Sequence, residues 1–234
     1  MFYSGYGLYL LCSLPALLLG LWAQFKVQSA FSRYSRVRTS TGYTGSQVAR
    51  RMLDNNNLGD VDIAESGGAL SDHYDPSRKV LRLSAQTFRS NSIAAAGIAA
   101  HEAGHAIQDG EHYPYLWLRS ILVPSVQIGS WLGPVLFMIG LLLATPLGTD
   151  LAWVGLLFFG LTAVFALITL PVELNATSRA KAWLTTSGMV YQEEMQGVNS
   201  VLNAAALTYV AAAAQAITTV LYYAFLLLGR GRRD

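Results

Sequence analysis

The stretch LAWVGLLFFGLTAVFALITL, Leu151 to Leu170, carries no charge and no strongly polar group. It has the roughly 20 residues a helix needs to cross a bilayer core. Three other apolar segments match it in length: Tyr3 to Val27, Ile121 to Ala144 and Ala204 to Leu228. The last is rich in alanine and holds Gln215, which suits packing against protein as well as lipid. Composition agrees. The chain is 53% hydrophobic and 13% charged, against about 25% charged in ordinary soluble domains. A net charge of +2 gives no reason to expect nucleic-acid binding. The single cysteine, Cys12, excludes an intrachain disulfide and a cysteine-based zinc cluster.

The first segment reads as a retained anchor. A cleaved signal peptide would need a basic start and a small-residue cleavage site, and neither precedes Lys26. Eleven Lys and Arg lie between residues 26 and 120, with Lys26, Arg33, Arg36 and Arg38 close to the first segment. The TPLGTD connection between the second and third segments has none. Positive residues favour the cytoplasmic side, so residues 26 to 120 are expected there and the N-terminus outside. Four spans then put the tail GRGRRD outside, against its arginines; a re-entrant or partial fourth segment would reconcile the two. The expected divisions are an anchor over 1–27, a cytoplasmic catalytic region over 28–120 and a transmembrane hairpin over 121–170. A helix bearing a metal ligand follows over 171–203, then a fourth segment with a basic tail over 204–234.

In the long polar stretch, SQVARRMLDNNN over 46–57 predicts an amphipathic helix with Val48, Ala49, Met52 and Leu53 as its apolar stripe. Alternation at Val61 and Ile63, and again over Lys79 to Ser84, predicts two or three short strands. In SDHYDP, Asp72 and Asp75 read as caps of backbone amides in a turn before Pro76. The functional alternative is a strand edge, Lys79 to Ser84, that binds an extended peptide. Asn91-Ser92 then offers an N-cap to a helix from about Ile93 to Asp109, with Gly110 as its stop.

That helix, IAAAGIAAHEAGHAIQD, is mostly Ala, Gly and Ile, yet it holds His101, Glu102 and His105. Positions i and i+4 share a helix face, so both imidazoles can reach one ion. Glu102 sits about 100° round, beside the ion. Two neutral imidazoles on zinc and a carboxylate on the adjacent water are the parts a metalloprotease requires. Glu102 would take the water's proton and pass it to the leaving amine. Gly97 and Gly104 lower helix propensity and would let another element approach closely.

Catalytic zinc takes a third protein ligand. The hairpin returns the chain to the side of His101 just after Leu170, and the first acid it meets is Glu173, with Thr177 one turn on as a second-shell hydrogen-bond partner. Asp72, His73, Asp75, Asp109, His112, Glu193 and Glu194 are the competing candidates. His73, His112 and Tyr209 could assist at the oxyanion.

The runs GALSDHYDPSRKVLRLS, SIAAAGIAAHEAGHAIQ, LPVELNATSRA and NAAALTYVAAA resemble the YugP-type family of membrane-bound neutral zinc metallopeptidases of bacteria. The resemblance implies a zinc endopeptidase with His101 and His105 as ligands and Glu102 as catalyst. Similarity to the broader glutamate-zincins makes Glu173 the third ligand. Those relatives often carry an acid one turn later, where this chain has Thr177. The expectation is a mainly α membrane protein of about four transmembrane helices with a cytoplasmic, zincin-like α+β catalytic region containing a small β-sheet. It would sit in the bacterial cytoplasmic membrane, bind Zn2+, and cut membrane or membrane-associated proteins, with homo-oligomers or membrane partner proteins possible. Two other classes compete: a non-catalytic zinc-binding scaffold or adaptor, and a transporter. The intact His101, Glu102 and His105 disfavour the first; the long polar loop and the charge-free third segment disfavour the second.

Overall fold

A computed structural model describes residues 2–68, 71–143 and 145–230. Among the described residues, seven helices and three strands run in the order α1 (Phe2–Tyr34), α2 (Gly45–Asp54), β1 (Asp62–Ser66), β2 (His73–Asp75), β3 (Val80–Ser84), α3 (Ala85–Phe88), α4 (Ile93–Gly110), α5 (Pro114–Leu142), α6 (Pro146–Ser187) and α7 (Met195–Arg230). The protein is therefore mainly helical with one small sheet. Contacts divide it into two units. One takes residues 1–22, 118–170 and 208–234; the other takes residues 23–117 and 171–207.

In the first unit, Phe137, Ala152, Leu156 and Leu227 form a buried cluster. Tyr223 stacks on Phe159 at 4.8 Å and lies 4.4 Å from Phe137. Gly155 allows the close approach there, because a Cβ on it would meet the backbone nitrogen of Phe137 at 2.6 Å. Outside this core the unit exposes Trp131, Leu142, Leu157, Leu221 and Phe225. Among the described residues, Pro114–Leu142, Pro146–Ser187 and Met195–Gly229 are long and apolar enough to cross a membrane. The first expected segment lies in α1, where Leu14, Leu17, Leu18 and Leu21 are exposed. Side chains at 2–6 and 8–12, Cys12 among them, and the tail from 231 fall outside the described residues.

The second unit builds its core from short amphipathic pieces. Thr44 and Gln47 form a capping box that starts α2, satisfying two backbone donors reciprocally. Its stripe of Val48, Ala49, Met52 and Leu53 is buried as the periodicity predicts. Ser92 caps α4 by accepting from the Ala95 amide at 3.2 Å. Leu81 and Leu83 of β3, with Leu184 of α6 and Leu202 of α7, join the same core. Each such leucine contributes about 1.5–3 kcal/mol.

The sheet order is β1-β3-β2, with β1 parallel and β2 antiparallel to β3. This corrects one expectation. The alternative of a free edge at Lys79 to Ser84 does not hold, because β3 is the central strand, paired with β1 along its length and with β2 over Val80, Leu81 and Arg82. Lys79 itself stands outside the strand with φ 50°. The caps are where the turn chemistry puts them. Asp72 accepts from the Ser84 amide at 2.9 Å, and Asp75 accepts from the Ser77 amide at 3.0 Å.

Some boundaries differ from expectation, and the helix expected over 46–57 spans Gly45–Asp54. Glu173 does not head a helix: α6 runs unbroken for 42 residues through Pro171. Gly110 is the last residue of α4, and Glu111 provides the C-cap.

Candidate metal centre

Alanine and glycine dominate α4, so the helix can be buried on nearly all sides without needing volume for large side chains. Gly104 brings a neighbour closest. A Cβ there would lie 2.9 Å from the Ala176 carbonyl oxygen and 3.3 Å from its Cα. Gly97 meets only Val198 and Leu202 at ordinary contact distance. Backbone contact at Gly104 sets α6 against α4 at the level of the histidines.

Glu173 projects from α6 into this contact and is 2% exposed. Its Oε2 lies 3.2 Å from Nε2 of His101 and 3.5 Å from Nε2 of His105. The imidazoles are nearly perpendicular, at 85°, with ring centroids 4.8 Å apart. Among the described residues these three alone bring His, Cys, Asp or Glu ligand atoms together, all within 4.8 Å of one another.

The opposite ring nitrogens decide what the centre can accept. Gln108, fully buried, donates from Nε2 to the Val172 carbonyl at 2.8 Å and to Asn175 Oδ1 at 2.9 Å. Its Oε1 is therefore left to accept from His105 Nδ1, at 2.9 Å. That bond places the proton on Nδ1 and leaves Nε2 with its lone pair facing Glu173. Thr177 Oγ1 lies 3.2 Å from His101 Nδ1; with the hydroxyl accepting there, His101 takes the same tautomer as His105. Two nitrogen lone pairs and a carboxylate then converge in a buried space. Such a set needs a positive species at its centre.

A divalent ion fits. Zinc bonds to nitrogen and oxygen at about 2.0–2.2 Å, so tetrahedral ligands stand roughly 3.3–3.5 Å apart, the range spanned by the two Glu173–His distances. A two-imidazole, one-carboxylate set also matches zinc in ligand type. The local field agrees. Burial disfavours a charged His105, yet the neighbouring Glu173 and Glu102 outweigh it and hold its pKa above the ordinary value. Carboxylates that favour a proton there favour a metal cation in the same place.

Glu102 lies next to His101 on α4, half-buried, and its carboxylate accepts no hydrogen bond among the described residues. Its carboxylate is thus not committed to a structural role.

The competing acids and histidines have other partners or positions. Asp109 accepts from the Tyr74 hydroxyl at 2.9 Å, and burial together with this carboxylate keeps the phenol protonated. Asp72 and Asp75 cap backbone, and His73 contacts the Ser71 carbonyl at 2.8 Å. Glu194 accepts from the Ser40 amide at 2.7 Å and from the Tyr191 amide at 2.9 Å. Glu193 is exposed. His112 follows the end of α4 with φ 55°, and Tyr209 belongs to the other unit.

Sequence reasoning passed over Gln108 and Asn175. The available signal was Gln108 itself, a polar side chain three residues after His105 on an otherwise small, apolar helix. Behind them Arg179 donates from Nε to Asn175 Oδ1 at 2.7 Å and forks onto Glu111 at 2.9 and 2.6 Å.

Comparison with known proteins agrees with this chemistry. The "Putative membrane protease YugP" of Bacillus subtilis (strain 168) is 45% identical over 221 residues, covering 94% of this chain and 97% of that protein. No solved structure matches the chain. The model of the family described as "Putative neutral zinc metallopeptidase" matches residues 9–228, a span that holds both α4 and Glu173, and the chain belongs to that family.

Proposed function

We propose that the protein is a zinc metalloendopeptidase of glutamate-zincin type that hydrolyses peptide bonds of membrane or membrane-associated proteins. His101, His105 and Glu173 hold the ion, and Glu102 is the catalytic carboxylate. The observation that carries this reading is the approach of both imidazole Nε2 atoms to one buried Glu173 oxygen, with both Nδ1 atoms engaged elsewhere.

When bound, zinc supplies Lewis acidity, lowering the pKa of a water toward about 7 and polarising the scissile carbonyl. The protein's own groups do the rest. Gln108 and Thr177 hold the imidazoles in one tautomer and orientation. Glu102 takes a proton from the attacking water as the new C–O bond forms. It then delivers that proton to the amide nitrogen as the C–N bond breaks, so the carboxylate is regenerated. The product is a free carboxyl and a free amine.

The chain would be a multi-pass protein of the bacterial cytoplasmic membrane, with α1, α5, α6 and α7 as four spans. Lys26, Arg33, Arg36 and Arg38 support a cytoplasmic site. Three helices of sufficient length and apolarity, and the relative's name, support the membrane setting.

Metal analysis of purified protein beside Glu102→Gln is the direct test. About one zinc per chain is expected in both, with hydrolysis of an unfolded membrane-protein substrate lost only in the variant. Unchanged hydrolysis in the variant removes Glu102 from the mechanism, and absence of zinc from both removes the metal.

A further inference from the structure

A cavity lies in the unit that contains the metal centre. It measures about 570 Å³ and is lined by one stripe from each of two helices. From α1 come Lys26, Ser29, Ala30 and Arg33; from α7 come Ser200, Asn203, Ala204 and Leu207. Each set follows the i, i+3, i+4, i+7 spacing of a single helix face. The ring of Tyr34 packs where a Cβ on Gly197 would come within 2.7 Å of it. That contact closes the groove at the start of α7, so the stripes run antiparallel and Phe25 and Leu207 mark the far end.

The lining carries two cations, Lys26 and Arg33, with polar Ser29, Ser200 and Asn203 between them and apolar Phe25 and Leu207 at one end, and no carboxylate contributes to it. Asn203 Oδ1 accepts from Lys181 Nζ at 2.5 Å. This leaves the Asn203 amide N–H groups as its donors and adds a third cation beside the groove. The volume falls in the range of about 300–1,000 Å³ typical of ligand pockets and exceeds what a bare anion needs. Position in the sequence adds a second constraint. The apolar stretch of α1 ends at Val27, and that of α7 begins at Ala204. Phe25 at the apolar end is 69% exposed.

We propose that this groove binds an anionic phospholipid. Lys26 and Arg33 pair with the phosphate, charge-assisted contacts of the strong kind. Ser29, Ser200 and Asn203 hydrogen-bond the headgroup and glycerol oxygens, and Phe25 and Leu207 receive the start of an acyl chain. Basic pockets beside transmembrane helices select anionic headgroups in this way. The site is separate from the metal ligands and does not depend on their assignment.

The test titrates full-length protein in non-ionic detergent with phosphatidylglycerol, phosphatidylcholine and inorganic phosphate, reading bound lipid by native mass spectrometry. Phosphatidylglycerol should bind at least about ten-fold tighter than phosphatidylcholine. The double variant Lys26→Ala, Arg33→Ala should lose about thirty-fold of that affinity, the effect of two basic residues at an anionic surface. Ser200→Trp, which fills the groove and leaves its charge, should remove the preference as well. Lipid-free thermal unfolding of each variant identifies any that fail to fold. Equal binding of both lipids overturns the proposal. So does undiminished binding by a folded variant, or displacement of the lipid by equimolar inorganic phosphate.

Discussion

Nδ1 of His105 lies 2.9 Å from Oε1 of Gln108, and the Gln108 amide cannot turn round without losing two further bonds, to the Val172 carbonyl and to Asn175. A neutral side chain thus dictates the protonation pattern of an imidazole from one turn away. The relation is asymmetric: His105 needs Gln108 to keep Nε2 bare, whereas Gln108 is held by α6 in any case.

Gln108→Leu removes this orientation and leaves the size of the residue nearly unchanged. Zinc affinity should fall about 10–100-fold, measured by chelator competition. Asn175→Ala should cost less, because Gln108 keeps the Val172 carbonyl. An equal or larger loss at Asn175 would show that Gln108 does not set the tautomer.

Glu173→Ala leaves two imidazoles and no charge to balance the ion. Zinc retention should drop by at least about two orders of magnitude, since a structurally three-ligand site then has two. Asp109→Ala, one turn beyond His105 but bonded to Tyr74, should retain zinc. Metal content after dialysis separates the two, and loss of zinc in Asp109→Ala alone would reassign the third ligand.

The two glycines of α4 should respond with opposite signs. At Gly104 a Cβ meets the Ala176 backbone at 2.9 Å, and Gly104→Ala should destabilise by about 1–3 kcal/mol. At Gly97 there is room beside Val198 and Leu202. Gly97→Ala should therefore stabilise by about 0.5–1 kcal/mol through helix propensity. Thermal unfolding in detergent checks both, and a destabilising Gly97→Ala would show that α7 packs more tightly than this.

Glu111 gives a small pH signature. Its hydrogen bonds to Arg179 hold its pKa below the ordinary 4.5, so the folded state binds that proton less readily than the unfolded chain. The associated stability is present in full above about pH 4.5 and is lost as pH falls through the lowered folded value. The Glu111 side chain is exposed and Arg179 only partly so, which limits the pair's worth to about 1 kcal/mol or less at low salt. Glu111→Gln should therefore destabilise slightly at pH 7, by a margin that shrinks as pH falls below about 4.5 and in 1 M salt. A difference undiminished under both conditions would mean the bridge is not the cause.

Much of this protein follows from local pattern. The spacing of His101 and His105 puts two imidazoles on one face of any helix that forms there, and Ser92 marks where α4 begins because its side chain caps the nearest amide. Asp72 and Asp75 read as caps for the same reason. Long apolar runs call for helices, since backbone in lipid must bond within itself. None of this needs knowledge of what lies across the core.

Tertiary structure decided the rest. β3 became the central strand because β1 pairs with it in parallel, a long-range choice that alternation in Val80–Ser84 does not encode. Glu173 was legible as the first acid after the hairpin, but its approach to both imidazoles depended on α6 settling against Gly104. Gln108 and Asn175 became partners through that same contact. Periodicity belongs to one helix and can be read from it alone, whereas a hydrogen-bond partner depends on which backbone comes within about 3 Å, and packing at Gly104 and Ala176 makes that choice.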